Sequence, residues 1–286
     1  MHAARSNRTL IATAALAALS VVILVTSLAV APLLYGADDG PSSITDLDAL
    51  VIGVKDDQPG LSLRTGDGEL EGFDIDVATY VGGRLGISPE KLTFRPLSSD
   101  ERESALSRGT VDLVVATYSI TPERKQRVTF AGPYYVAHQD ILVRPRETSI
   151  KTVRDLRGKR LCQVPGSNSW RRVTEERGVA AELVPAGSYS ECVKALAGGR
   201  LDAVSTDDLI LAGFAAGSGT TLVNAPFSDE RYGIGLRKGD LGGCQAVNRI
   251  LTGMYQNGTA ETLLGQWFTA SGLEVTTTVP EFEGCA

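Results

Sequence analysis

Two side chains of opposite charge stand just past the ends of strand-like runs. Arg124 follows VDLVVA (111–116) and the Ser/Thr-rich turn ATYSITPER (116–124). Its planar fork of donors suits a carboxylate held by two parallel hydrogen bonds. Asp207 follows LDAVST (201–206), and Asp208 beside it reads as the N-cap of a helix starting DLILAGFA. Thr117 and Ser119 sit at the end of VDLVVA, and ligands of open α/β sheets bind beyond the carboxyl ends of strands. The same turn also reads as a helix cap through Thr121 and Glu123, and the two readings are compatible. In GSNS (166–169), between a strand and a helix, free backbone N–H groups suit an anion, with Ser167 and Asn168 as candidates; as a pure cap, Ser167 or Ser169 needs no ligand.

Other chemistry is excluded by what the chain lacks. Its 2 histidines, His2 and His138, make no metal cluster or triad. It has no Ser/His/Asp set, nucleophile elbow, phosphate loop or CxxC pair, and a lone Glu71 reads as a solvated turn residue. We expect no catalytic residue, no metal and no cofactor. The formal charge of −6 argues against a nucleic-acid partner.

The elements that must position these residues alternate. ALVIGV (49–54), KLTFRPL (91–97) and VDLVVA (111–116) read as strands, separated by helical patterns at 73–86 and 103–109. A second series follows: a short helix at 152–158, RLCQV (160–164), a helix at 169–178, AELVPA (181–186), a helix at 190–199 and LDAVST. This order predicts α/β architecture with a mostly parallel sheet. SALSRGTVDLVVAT (104–117) and KALAGGRLDAVST (194–206) share a helix–Gly–strand pattern with an Asp at the strand start. It suits either two lobes of similar design or an ordinary helix–strand joint. PYYVAHQDILVRP (133–145) and RYGIGLRKGD (231–240) read as extended, with helical patterns at 244–258 and 260–272. The simplest division puts 47–136 and 232–286 in lobe 1 and 137–231 in lobe 2, with two chain crossings as a hinge.

Several segments, in order, resemble the extracellular solute-binding proteins of family 3, the amino-acid-binding components of bacterial ABC importers. GFDIDV (72–77) matches the signature, ATYSITPERKQRVTFAGPYY (116–135) the Arg-bearing stretch, GKRLCQVPGSNS (158–169) the strand-to-helix loop, LDAVSTDDLIL (201–211) the acid-bearing strand end, and YGIGLRKGD (232–240) the return strand. The resemblance covers 47 to 286 and, with IGVKDDQPGL (52–61), ATYSI and the cysteine positions, is greatest to actinobacterial glutamate-binding proteins. It implies a two-lobed periplasmic-binding-protein fold of type II (Venus flytrap) and a free amino acid as ligand. Glutamate, glutamine, aspartate and asparagine stay open, with glutamate favoured; permease subunits of the importer are the implied protein partners.

A free amino acid carries a carboxylate and an ammonium, so its site needs a fixed cation and a fixed anion, both desolvated. The resemblance gives Arg124 to the α-carboxylate, the Thr117 carbonyl and Asp207 to the ammonium, Ser119 to both ends and Thr206 to the side chain. It brings the loop with Lys55, Gln58 and Leu61 to the ligand side chain. Asp56 stands where relatives often carry an aromatic or apolar residue; facing inward it would repel a second carboxylate, which Arg102 would offset by binding it. An anchored amino-acid sensor is a second reading, and a lyase or dehydratase on a related fold a third.

Residues 1–37 hold Arg5 and Arg8 and then an uncharged apolar run long enough to span a bilayer, which needs about 20 residues. The flanking charges put the bulk of the chain outside, whether the segment stays as an anchor or is cleaved as a signal. DDGPSSITD (38–46) reads as a linker. The 4 cysteines all follow that run, an even number that suits disulfides in an exported protein. Three pairings are possible; we favour Cys162–Cys192 and Cys244–Cys285, the latter tying down the tail.

Overall fold

The computed structural model describes residues 43–285, so the apolar segment and most of the expected linker lie outside the described residues. Among the described residues no helix is long and apolar enough to cross a membrane. The last residues of the polar stretch already join the body: Ile44 is buried, and its N–H donates to Asp240 Oδ2 at 2.9 Å.

The chain enters through β1 (Leu50–Val54) and a small antiparallel sheet of β2 (Asp57–Gln58), β3 (Ser62–Arg64) and β4 (Leu70–Glu71). Helix α1 (Phe73–Arg84) buries Phe73, Val77 and Val81, one stripe at four-residue spacing. Asp74 and Asp76 occupy its first turn, where the helix dipole favours negative charge. There follow β5 (Leu92–Pro96), α2 (Arg102–Ser107), β6 (Leu113–Val114) and the short α3 (Pro122–Lys125). The strand β7 (Val128–Val143) is almost wholly buried and rich in Val, Ile, Tyr and Phe, as a strand covered on both faces should be. The second series is β8 (Arg160–Gln163), α4 (Ser169–Arg171) running into a π-turn (Arg172–Glu176), β9 (Glu182–Pro185), α5 (Tyr189–Ala197), β10 (Ala203–Asp207), α6 (Asp208–Ser218) and β11 (Thr221–Leu222). The chain returns along β12 (Ser228–Arg237) and closes with α7 (Leu241–Gln256) and α8 (Thr259–Phe268).

Among the described residues nine strands form one sheet in the order β5-β1-β6-β12-β7-β10-β8-β9, with β11 also on β7. The two flanks are parallel: β1 pairs with β5 and β6, and β8 with β9 and β10. The centre is antiparallel, because β7 and β12 run side by side through the middle. The expected parallel sheet is therefore two parallel blocks joined by a long antiparallel pair. Each block has its own apolar packing, around Leu106, Tyr118 and Phe130 on one side and Ile141, Leu161 and Val173 on the other, and a larger core runs behind both. Fully burying a Leu, Ile or Phe in such packing contributes roughly 1.5–3 kcal/mol. The disulfides are Cys162–Cys192, tying β8 to α5, and Cys244–Cys285, tying the tail to α7.

Candidate functional site

The first wall of the site is cationic. Thr121 caps α3 by accepting the Arg124 N–H at 3.3 Å, and Pro122 fixes the first turn. This aims Arg124 inward, where it is buried. Its Nη1 donates to the Ser119 carbonyl at 2.7 Å and its Nη2 to the Gly166 carbonyl at 2.8 Å, while Glu103 lies 3.6 Å from Nε. Burial and the repulsion of Arg102 lower its pKa to about 10, which leaves it charged at neutral pH.

Arg102, the first residue of α2, is buried too. Its Nε donates to the Ser99 carbonyl (3.0 Å), Nη1 to that of Ala116 (3.0 Å) and Nη2 to that of Gly166 (3.2 Å). Both guanidinium groups lie over the Tyr118 ring, 4.3 Å from its centre for Arg102 and 5.0 Å for Arg124. The Tyr118 hydroxyl is buried, and Glu103 lies near it. Lys55 completes the wall: its Nζ donates to the Leu97 carbonyl at 3.0 Å, and burial lowers its pKa, with Asp57 opposing and Arg102 adding to the shift.

The second wall is acidic. Asp207 ends β10, and the Tyr232 hydroxyl donates to its Oδ2 at 2.7 Å. Burial raises its pKa well above the usual carboxylate range, and the nearby Glu230 adds to this, while the Tyr232 hydroxyl and Arg124 act in the opposite direction. Glu230, on β12, is buried and accepts Arg172 Nε at 2.7 Å and Asn168 Nδ2 at 3.2 Å. Thr206 Oγ1 and Ser169 Oγ are 3.1 Å apart, and Ser167 Oγ and the Tyr189 hydroxyl 2.7 Å apart. Gln139 Nε2 donates to the Ser169 carbonyl and Ser205 Oγ, and its buried Oε1 has no partner among the described residues.

The walls touch at Gly166, whose carbonyl takes both arginines. At φ +72°, a Cβ there would lie 2.3 Å from Asp100 N, so only glycine lets this segment come so close. A second contact is the Ser190 N–H on Asp57 Oδ2 at 3.2 Å.

The structure thus brings Lys55, Gln58, Arg102, Thr117, Ser119 and Arg124 together on one side, and Ser167, Asn168, Thr206 and Asp207 on the other. Gln58 Oε1 accepts the Thr117 hydroxyl at 3.2 Å, and Leu61 is fully buried behind it. Three of the residues read from the sequence have protein partners of their own. The Arg102 fork is occupied by backbone carbonyls, and Asn168 turns its amide to Glu230. Asp208 is the first residue of α6 rather than its cap, with its own carboxylate on the Leu209 N–H at 2.7 Å; Asp207 takes the cap position without a side-chain bond to the helix. Burial raises the Asp208 pKa to about 6. Asp56 does not face the site, since its half-exposed carboxylate meets Arg64 at 3.5 Å.

Sequence reasoning missed Tyr118, Asp74, Glu230, Tyr232 and Gly166. Asp74, Tyr118, Gly166 and Tyr232 lay inside quoted motifs, whereas nothing local marks Glu230. A surface depression lined by His138, Arg177, Pro226, Phe227, Ser228 and Asp229 contains none of the candidate residues, and its His138–Asp229 contact is exposed.

Comparison with known proteins places this geometry. The family model of the bacterial extracellular solute-binding proteins, family 3, matches residues 50–270. The chain is 39% identical over 238 residues to the glutamate-binding protein GluB of Corynebacterium glutamicum, covering 79% of this chain and 80% of that one. It is 34% identical over 232 residues to the ABC transporter glutamine-binding protein GlnH of Bacillus subtilis, covering 80% of this chain and 84% of that one. A solved structure of an ancestral arginine-binding protein bound to glutamine superposes with a TM-score of 0.71 at 35% identity, over 78% of this chain and 98% of that one. These relatives are substrate-binding proteins rather than enzymes, and the two-lobed α/β periplasmic-binding-protein architecture is common to the structural neighbours and this chain. The chain belongs to the bacterial extracellular solute-binding proteins, family 3.

Proposed function

We propose that this protein binds a free amino acid, glutamate, outside the cytoplasm and delivers it to an ABC-type importer. One observation carries the reading: the buried guanidinium of Arg124 bonds to the Gly166 carbonyl, on the segment whose Ser169 meets Thr206, next to the buried carboxyl of Asp207. That is the charge pattern a desolvated zwitterion requires. The names of the relatives, which bind glutamate and glutamine, support the ligand class.

Glutamate is favoured by the remaining charge. Lys55 and Arg102 are both buried in the cationic wall, and their direct partners are neutral carbonyls. Asp56 faces away. A second carboxylate on the ligand would be attracted there and a basic side chain repelled. In this reading Ser119, Thr117 and Thr206 contact the ligand beside Arg124 and Asp207, with Ser167, Asn168, Lys55, Gln58 and Arg102 around its side chain. Residues 47–136 and 232–286 form lobe 1, residues 137–231 form lobe 2, and the crossings in β7 and β12 are the hinge. The N-terminal apolar segment tethers the protein to the membrane or directs its export.

Calorimetric titration with glutamate, glutamine, aspartate, asparagine and arginine tests the reading. Glutamate should bind most tightly, and its binding should raise the melting temperature. A protein stabilised by sugars or metals but by no amino acid would refute the ligand class.

A further inference from the structure

Asp74 is the first acid of GFDIDV, and neither wall of the cleft accounts for it. Its carboxylate is fully buried at the start of α1. Oδ1 accepts the Tyr134 hydroxyl at 2.7 Å and Oδ2 accepts the Thr117 N–H at 2.8 Å. Tyr134 comes from β7 and sits among aromatic rings, 6.1 Å from Phe73 and 5.9 Å from Tyr232, so the acceptor is wedged between α1, β7 and the end of β6.

Thr117 stands at φ +44°. A β-branched residue enters this left-handed region only at a cost and stays there only where its surroundings hold it. The position that matches Thr117 in the second half-pattern is Asp207, and its φ is −72°. The turn is therefore a local departure rather than a property of helix–strand joints. β6 has ended by Val114, so the buried Thr117 N–H would be unpaired without Asp74. Immediately downstream the chain makes its contacts with the cationic wall: the Ala116 and Thr117 carbonyls face Arg102 Nη1 at 3.0 and 3.5 Å, and the Ser119 carbonyl takes Arg124.

We propose that Asp74 is a positioning residue of the ligand cleft: by accepting the Thr117 N–H it holds Thr117 in the left-handed conformation, and so sets the place of the 117–119 turn and of the two arginines bonded to it. The signature acid thus acts as a hydrogen-bond acceptor beneath the site without touching the ligand. The inference rests on the amino-acid-binding reading above.

The test measures glutamate affinity and melting temperature for the full chain and for Asp74→Asn, Asp74→Leu, Thr117→Gly, Asp74→Leu/Thr117→Gly and Arg124→Ala. Asparagine keeps an acceptor and should bind within about threefold of wild type, whereas leucine keeps the bulk and removes the acceptor, for a loss of about tenfold. In the Thr117→Gly background the leucine loss should shrink to about threefold or less, because glycine adopts this conformation unaided. A leucine loss of the same size in both backgrounds, no leucine loss, or a tenfold loss for asparagine would each overturn the proposal. Should leucine prevent folding, amide hydrogen exchange reads the same bond: the Thr117 N–H should be protected in wild type and in Asp74→Asn, and exchange at the rate of an exposed amide would overturn it. A wild-type chain that bound no amino acid would instead sink the functional reading, and the exchange measurement would still report on Asp74.

Discussion

The joints at 104–117 and 194–207 begin identically and end with opposite chemistry. In the first, α2 stops at Ser107, Gly109 turns at φ +63°, and the Thr110 N–H donates to the Ala105 carbonyl at 3.0 Å. In the second, α5 stops at Ala197, Gly199 turns at φ +73°, and the Arg200 N–H donates to the Ala195 carbonyl at 2.9 Å. Both are helix ends closed by a left-handed glycine. The acids that follow match as well. Asp112 donates its N–H to the Val51 carbonyl and its carboxylate accepts the Val51 N–H; Asp202 does the same with Arg160. Each acid clamps the start of the neighbouring parallel strand, β1 in one case and β8 in the other. Beyond the strands they part: the first runs through the left-handed Thr117 to Arg124, the second ends directly on Asp207 at the head of α6. The shared part is a device of the fold, and the chemistry starts where the sharing stops.

The strongest way to break this comparison is at the diverging ends. Arg124→Ala should weaken glutamate binding by about 3 kcal/mol, roughly a hundredfold in Kd, and Asp207→Asn by about tenfold. Calorimetry showing both within threefold of wild type would mean that the ends do not work as a pair. The clamps come next. Asp202 also holds Arg160 through two bonds, at 2.7 and 3.1 Å, and has Arg144 at 3.6 Å. Asp202→Ala should therefore cost about 2 kcal/mol in urea unfolding against about 1 kcal/mol for Asp112→Ala. Equal costs would put the whole effect in the shared backbone clamp.

The acids also differ in pH response. Bonding to Arg160 lowers the Asp202 pKa from 3.8 to about 2. Its contribution is present above the unfolded value and lost as the pH falls through the folded one. The advantage of wild type over Asp202→Asn should thus disappear between pH 3.8 and about 2. Asp74, which holds the departing turn, behaves oppositely, since burial raises its pKa from 3.8 to about 7. Its contribution is full at low pH and lost as the pH rises through that range, so Asp74→Asn should gain on wild type from pH 3.8 to about 7. Melting curves across pH check both, and parallel curves would contradict the assignments.

The smallest effect sharpens the likeness. Gly109→Ala and Gly199→Ala should each cost about 1 kcal/mol through backbone strain. Neither is obstructed: a Cβ at 199 meets nothing within 4 Å, and one at 109 lies 3.5 Å from Arg237 Nη2. Thermal melts giving unequal costs would show that the two caps are not equivalent.

Much of this was legible in order and type. The strand-like runs at 49–54, 91–97, 160–164 and 181–186 are strands, and the helical run at 73–86 is α1, because apolar spacing reports which face is buried. The run at 111–116 yields only a two-residue β6, since past Val115 the chain leaves its neighbour for the turn held by Asp74. The run at 169–178 is a short helix that widens to a π-turn at Arg172, the residue whose guanidinium meets Glu230. In the site, Arg124 and Asp207 could be read from strand ends and motif, but the carbonyl partners of Arg102 and the turning of Asn168 could not.

The chain by itself determined what depends on near neighbours: the helix and strand periods, the glycine stops, the cap at Thr121 and the charges at the strand ends. Only the tertiary structure decided which of those charges meet. The decisive partners are distant, with Asp74 43 residues from Thr117, Gly166 42 from Arg124 and Glu230 58 from Arg172. The Gly166–Arg124 contact arises when the central strand pair brings the two blocks together and the other two when each block packs on itself, and burial then makes each buried charge depend on the partner it finds.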